Sequence, residues 1–383
     1  MRHMVVGIGL LAMLALTGCE GEQPSENTAG FAGLGADAEG FARARPGTPL
    51  RFPEDHGAHS DFRIEWWYLT ANLEDATGES LGVQWTLFRQ AAMSPDERPE
   101  PGPWVADQLW MGHMAVSSGQ THHVAERFAR GHSGTTASSR AQSGVTTDPF
   151  QAWLDDWRLE SRVTDTDRDA LSRLKLVARD EHDGAPFGYR LNLTAEGPLV
   201  FHGENGFSQK SADGQGSIYY SQPFYRVEGE VTLDGETRQV KGRAWLDREW
   251  SSQLLGPEQA GWDWFSLHLA SGHKLMAFRL RGGGEEGSDY LSGTWISPDG
   301  QATALAPDDL ILTPLATSRI AERDMPTRWR LEMPSQALDL EIEAPHDERW
   351  METSVAYWEG EVEVHDRQSG EPRGIGYLEM TGY

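Results

Sequence analysis

From residue 62 to residue 383 the chain alternates apolar and polar residues in short runs, and Gly, Pro, Asp and Asn interrupt each run before it reaches helical length. Successive side chains of an extended strand point to opposite faces, so a period of two marks strands with one buried face. Such runs lie at 63–73, 82–89, 108–117, 172–178, 188–194, 225–233, 240–246, 264–269, 274–280, 329–333, 338–343 and 361–365. The pairs Asp234-Gly235 and Asp299-Gly300 favour positive φ and mark turns between them. Neither a sustained helical repeat nor a strand–helix–strand alternation competes. The predicted fold class is all-β. The Ser-, Thr- and Gly-rich stretch 131–147 reads as a long surface loop. So many strands exceed one small sheet, and closure removes exposed edges. Two tandem barrels are therefore expected, 48–250 and 251–383, with the seam at 251–259.

Composition narrows the partners. The 33 Lys and Arg against 59 Asp and Glu leave a net charge of −26. Nucleic-acid affinity comes mostly from cations that displace phosphate counterions, so DNA and RNA are excluded as partners. Hydrophobic residues make up 38%, below the usual level of about 45 to 50%, and 15 Trp, 13 Phe and 9 Tyr carry much of the apolar burial.

The start of the chain reads as a targeting signal. Arg2 precedes an apolar run over 4–16, shorter than the roughly 20 residues that span a bilayer, which is the form of a secretory leader. It ends in Leu16-Thr17-Gly18-Cys19, which resembles a bacterial lipobox. On that reading residues 1–18 are removed, the sole cysteine, Cys19, is acylated, and residues 19–47 tether an exported domain to a periplasmic or outer-membrane face.

Three carboxylates, Asp247, Glu249 and Asp263, lie among the tryptophans Trp245, Trp250, Trp262 and Trp264. Alternation puts Trp245, Asp247 and Glu249 on one strand face. Hydration of an unactivated alkene needs an acid, a carbocation and capture by water. A carboxyl held in an aromatic pocket keeps its proton because burial disfavours the charge, and indole faces stabilise the cation. The competing reading makes Asp247 and Glu249 ion-pair partners of Arg248 and Arg243. A second candidate is the strand Arg63-Ile64-Glu65-Trp66-Trp67-Tyr68. There Glu65 and Tyr68, with Gln84 and Thr86, would anchor a ligand in an apolar pocket; alternatively Glu65 is a buried partner of Arg63 or Arg89. Lys210, Ser217, Tyr219 and Tyr220 contact ligand or pack the sheet. Asp55-His56-Gly57-Ala58-His59, with His113, His122 and His123, lacks the His-Glu-x-x-His form, so neither a metal nor another cofactor is expected. No Gly-x-Ser-x-Gly elbow marks a serine nucleophile.

Several strings carry a resemblance. They are Phe52-Pro53-Glu54-Asp55-His56-Gly57-Ala58-His59, Gly203-Glu204-Asn205-Gly206-Phe207-Ser208-Gln209-Lys210, Trp245-Leu246-Asp247-Arg248-Glu249-Trp250, Gly261-Trp262-Asp263-Trp264-Phe265-Ser266-Leu267 and Gly376-Tyr377-Leu378-Glu379-Met380-Thr381-Gly382-Tyr383. Over 52–383 the chain resembles the AttH-like family that includes carotenoid 1,2-hydratase (hydroxyneurosporene synthase, CrtC). The resemblance implies two lipocalin-like barrels packed together. It also implies one of several activities, since the family includes isoprenoid hydratases, relatives that catalyse cyclisations, and exported lipoproteins described as predicted hydrolases or companions of ABC transporters. Hydratase members carry a histidine where this chain has Arg248, and an arginine cannot shuttle protons. Arg248 would instead bind an acidic substrate group or hold Asp247 ionised.

The expected protein binds an isoprenoid or lipid-like molecule in a Trp-rich cavity. As an enzyme it would use Asp263, Asp247 or Glu65 as acid, with Trp245, Trp250, Trp264, Trp66, Tyr68, Arg248 and Tyr220 around the substrate. As a non-catalytic carrier it would serve an ABC-type transporter at the membrane where Cys19 anchors it.

Overall fold

Short alternating runs can bury their apolar faces only by pairing side by side, and here they assemble into two large antiparallel sheets. The structure is a computed structural model that describes residues 38–98, 106–131, 141–165, 168–256, 259–283 and 288–383. The leader, Cys19 and the tether up to residue 37 lie outside these residues.

The first sheet begins with β1 (Ile64–Asp75), β2 (Ser80–Ala91), β3 (Gln108–Ser118), β4 (Thr121–Gly131), β5 (Ser143–Thr147), β6 (Phe150–Leu154) and β7 (Trp157–Ser161). It continues with β8 (Arg173–His182), β9 (Ala185–Ala195), β10 (Val200–Phe201), β11 (Phe207–Gln209), β12 (Gly216–Leu233) and β13 (Glu236–Ser251). Its path runs β4-β3-β2-β1-β13-β12-β9-β8-β7-β6-β5, and contacts of β4 with β5 and β6 bring the two ends together into a nearly closed barrel. The second sheet holds β14 (Gln259–Leu269), β15 (Lys274–Gly282), β16 (Tyr290–Ile296), β17 (Ala302–Leu305), β18 (Ile311–Ile320), β19 (Arg323–Met333), β20 (Leu338–Glu343), β21 (Trp350–Met351), β22 (Tyr357–Asp366) and β23 (Pro372–Met380). Its path is β17-β16-β15-β14-β23-β22-β20-β19-β18. The described helices are 3-10 turns, and none is long and apolar enough to cross a membrane.

One expected loop contains a strand. The end of 131–147 forms β5, which pairs with β6 from Ser143↔Leu154 to Thr147↔Phe150. The apolar face of that hairpin comes from Phe150, Ala152 and Leu154, so the small polar residues of β5 conceal the period.

Three apolar layers result. The barrel is filled by Trp67, Leu69, Trp85, Leu87, Trp157, Leu176 and their neighbours. The second sheet closes over Phe265, Leu267, Trp329, Ile342 and Trp358. A third layer, with Tyr68, Tyr219, Trp245, Trp264, Phe278 and Tyr377, lies between the two. Polar ties cross the same joint. Asn72 Nδ2 donates to the Gly376 carbonyl at 3.0 Å, and His202 Nδ1 meets Thr294 Oγ1 at 2.9 Å.

Candidate functional site

The joint between the sheets encloses a cavity of about 230 Å³. Strand parity decides what faces it. In β1, Trp66 and Tyr68 point to the joint while Trp67 and Leu69 point into the barrel. The β1–β13 register sets Trp66 opposite Glu249 and Tyr68 opposite Asp247, so Trp245, Asp247 and Glu249 share that outer face. From the other side, β14 presents Trp262 and Trp264, and the β14–β23 register places Glu379 opposite Trp264. Glu359 of β22 pairs with Glu379. Four carboxyl groups thus converge on one aromatic layer.

Their environments differ. Lys210 Nζ pairs with Glu249 Oε1 at 2.9 Å, and Ser217 donates to the same oxygen. The ammonium also stands 4.0 Å from the Phe278 ring. Asp247 accepts from Trp245 Nε1 at 2.7 Å and from Ser221 Oγ, with Tyr219 also bonded to it. Burial nevertheless pushes the Asp247 carboxyl up to about 7, and Glu249 adds to the rise. Glu379 accepts from Trp262 Nε1 at 2.8 Å. Its carboxyl is also pushed up to about 7, by burial first and then by Asp247 and Glu249. Glu359 accepts from Tyr68 Oη at 2.5 Å, and burial with the neighbouring Glu379 drives it well above the usual carboxylate range. Asp247, Glu379 and Glu359 thus retain protons toward neutral pH in a site largely walled by carbon.

Asp247, Trp66, Tyr68 and Trp264 all line this cavity. Trp245 does not line it but holds Asp247 in place from the same layer. Arg248, Trp250 and Tyr220 have the opposite parity and face into the barrel. Arg248 lies 3.9 Å over Trp67 and donates to the carbonyls of Trp66 at 2.8 Å and Gly57 at 2.7 Å. Trp250 stacks on His59 with centroids 3.8 Å apart, and Tyr220 Oη meets His56 Nδ1 at 2.8 Å. Glu65 touches the rim, but Arg89, His59 and Arg248 surround it and hold its carboxyl well below the ordinary range despite burial. It is an anion, unsuited to donate a proton. Asp263 lies outside the cavity. Arg279 grips it at 2.8 Å, Arg281 at 2.9 Å, and Tyr383 Oη donates at 2.6 Å. Trp262, grouped with the carboxylates from the sequence, does line the cavity, whereas Glu379 and Glu359 are site residues that the sequence does not single out. Parity in Tyr377, Glu379 and Thr381 was the available signal, but only packing of one sheet on the other brings them to Asp247.

A family model described as AttH-like matches residues 43–383. The solved structure of a "putative AttH (NE1406)" from Nitrosomonas europaea is 35% identical over 90% of this chain and 99% of its own, with a TM-score of 0.75. Kievitone hydratase from Nectria haematococca shares the fold at 17% identity and a TM-score of 0.61, covering 90% of this chain and 98% of that one. The structure of CghA with Sch210972 does so at 14% and 0.54, covering 90% and 97%. Comparison with curated protein sequences returned no match.

Proposed function

The chain belongs to the AttH-like family, and from that premise we propose that an isoprenoid or lipid-like guest enters the cavity between the sheets, where Asp247 or Glu379 protonates a carbon–carbon double bond to bring about hydration or isomerisation. The observation that carries this reading is the pair of buried carboxyls, each raised to about 7, facing an aromatic-walled cavity. The hydratase with the same fold adds support at the level of architecture.

The step balances within the site. The O–H bond of one carboxyl breaks as its proton forms a C–H bond with the alkene π pair. The cation left on the other carbon meets the faces of Trp66, Tyr68 and Trp264. In hydration, water adds to it and passes a proton to the other carboxylate; in isomerisation, the adjacent carbon gives up that proton instead. Two neighbouring acids titrating near neutrality suit these complementary roles. A volume of about 230 Å³ lies below the usual range of roughly 300–1,000 Å³, so the cavity accommodates one end of a guest rather than a long polyene.

The test is Asp247→Asn and Glu379→Gln in the full chain, supplied with trisubstituted alkenes in ¹⁸O-labelled water. At least one substitution is expected to cut product formation by roughly 100-fold, the scale of general acid catalysis, while tryptophan quenching shows guest affinity nearly unchanged. Undiminished turnover in both variants would sink the acid role.

The carrier reading draws on the cavity mouth, where Leu109 is 40% and Phe128 45% exposed. This apolar lip suits transfer of a guest at a surface, as an accessory of an ABC-type transporter would require. Guest binding by the wild type without any product selects it. Under either reading the leader and lipobox support export with a lipid anchor on Cys19, and Cys19→Ser should release the protein from the membrane fraction.

A further inference from the structure

Further along the same joint, beyond Tyr68, lies a second hollow of about 490 Å³ whose lining is strongly charged. Four of its five glutamates are paired with Lys or Arg, two of them sharing one arginine, and the fifth meets a histidine. Glu74 meets Lys241 at 4.0 Å, Glu196 meets Arg226 at 3.1 Å, and Glu228 is paired with the same arginine. Glu361 is held by Arg349 at 2.7 Å and Glu363 meets His365 at 3.3 Å.

Two cations of the lining stand outside these pairs. Among the described residues neither Lys274 nor Arg243 has a carboxylate at ion-pair distance, and the negative charge acting on Lys274 is that of Glu196, which is bound to Arg226. Lys274 is only 4% exposed; its Nζ has the Gly272 carbonyl at 3.3 Å and the Phe224 ring at 4.0 Å. Burying an ammonium with so few acceptors is costly unless something supplies negative charge. His268, 6% exposed, also lines the hollow, and its Nδ1 is buried without a hydrogen-bond partner. Two cations without an ion pair and an idle ring nitrogen form a donor set whose one hydrogen-bond acceptor is the Gly272 carbonyl. Apolar residues, among them Leu81, Phe224 and Val362, stand beside it.

We propose that this hollow is an anion site that takes a phosphate group, with Lys274, Arg243 and His268 as donors. The Lys274 ammonium is pushed down to about 8 by burial and by Arg243, against a smaller opposing pull from Glu196, and a bound phosphate would reverse that shift. Burial also drives His268 down to about 3, so its ring is neutral and donates through one N–H. The site is distinct from the acid cavity, and its test does not depend on the reaction proposed there.

Titration calorimetry of the full chain at low ionic strength should show saturable binding of inorganic phosphate or of short-chain phosphatidic acid below its micelle concentration. Loss of one charge-assisted hydrogen bond should weaken it about tenfold or more in both Lys274→Met and Arg243→Gln. Arg243 is exposed, so its variant keeps the test readable if Lys274→Met fails to fold. Asp247→Asn should leave affinity unchanged. Similar affinities for the two probes support free phosphate as ligand, and markedly tighter phosphatidate supports a lipid headgroup. Absence of saturable binding to either probe, or full retention by Arg243→Gln, overturns the proposal.

Discussion

Asp247 and Asp263 show how little residue type says about role. Both are buried aspartates beside tryptophans, yet one faces apolar walls and hydroxyl or indole donors while the other has two guanidiniums and a phenol. Their amide substitutions should therefore move stability in opposite directions at pH 8. Asp247→Asn removes a charge that burial opposes and should raise the melting temperature. Asp263→Asn leaves Arg279 and Arg281 uncompensated and should cost about 3 kcal/mol in denaturant unfolding, the scale of a broken buried pair. Part of this was legible beforehand. Parity already separated Asp247 from Arg248 and Trp250, and Asp263 from Trp262 and Trp264; grouping them by nearness along the chain was the error. The arginines that clamp Asp263 stand on the neighbouring β15, opposite it in register or nearly so, and no local pattern announces that pairing.

At the scale of elements, the twelve alternating runs fall on 12 of the 23 described strands, including the long ones that meet at the joint, β1, β12, β13, β14 and β22. They miss β5, whose partner supplies the apolar residues, and ten other strands, and the period of two carries no register. Yet register alone puts Tyr68 beside Asp247 and Glu359 beside Glu379. The β1–β13 ladder depends on close backbone approach at one point. A Cβ on Gly242 would come within 2.1 Å of the Asn72 carbonyl oxygen. Gly242→Ala should therefore displace this ladder and destabilise the protein by roughly 1–3 kcal/mol, the usual range for backbone conflicts. Amide exchange in β1 and β13 should rise more than in β19, which lies in the other sheet. Uniform exchange would contradict that local origin.

For the whole molecule, the acid layer sets how stability responds to pH. Asp247 and Glu379 have folded values near 7 against ordinary values of 3.8 and 4.5, so the folded state binds more protons than the unfolded chain between those limits. Their contribution is fully present below about pH 4 and is lost as pH rises through about 7. At 1.36 kcal/mol per unit, each group taken alone accounts for about 3 to 4 kcal/mol. Glu65, held below its ordinary range, acts in the opposite sense in strong acid, and His122, His202 and His268, which burial drives down to about 3, do so up to their ordinary value of 6.5. Melting temperature should therefore fall between pH 7 and 8, above the range in which histidines ordinarily titrate, and the double variant Asp247→Asn with Glu379→Gln should flatten that slope. This behaviour comes from the meeting of distant strands, which alternation within each strand cannot reveal.

Because the barrel is filled by its own tryptophans and leucines, the cavity for a guest, among the described residues, lies in the joint between the halves. Its width is set by the tilt of one half on the other. A few substitutions along that boundary would thus reshape the chamber for a bulkier guest and leave both cores as they are.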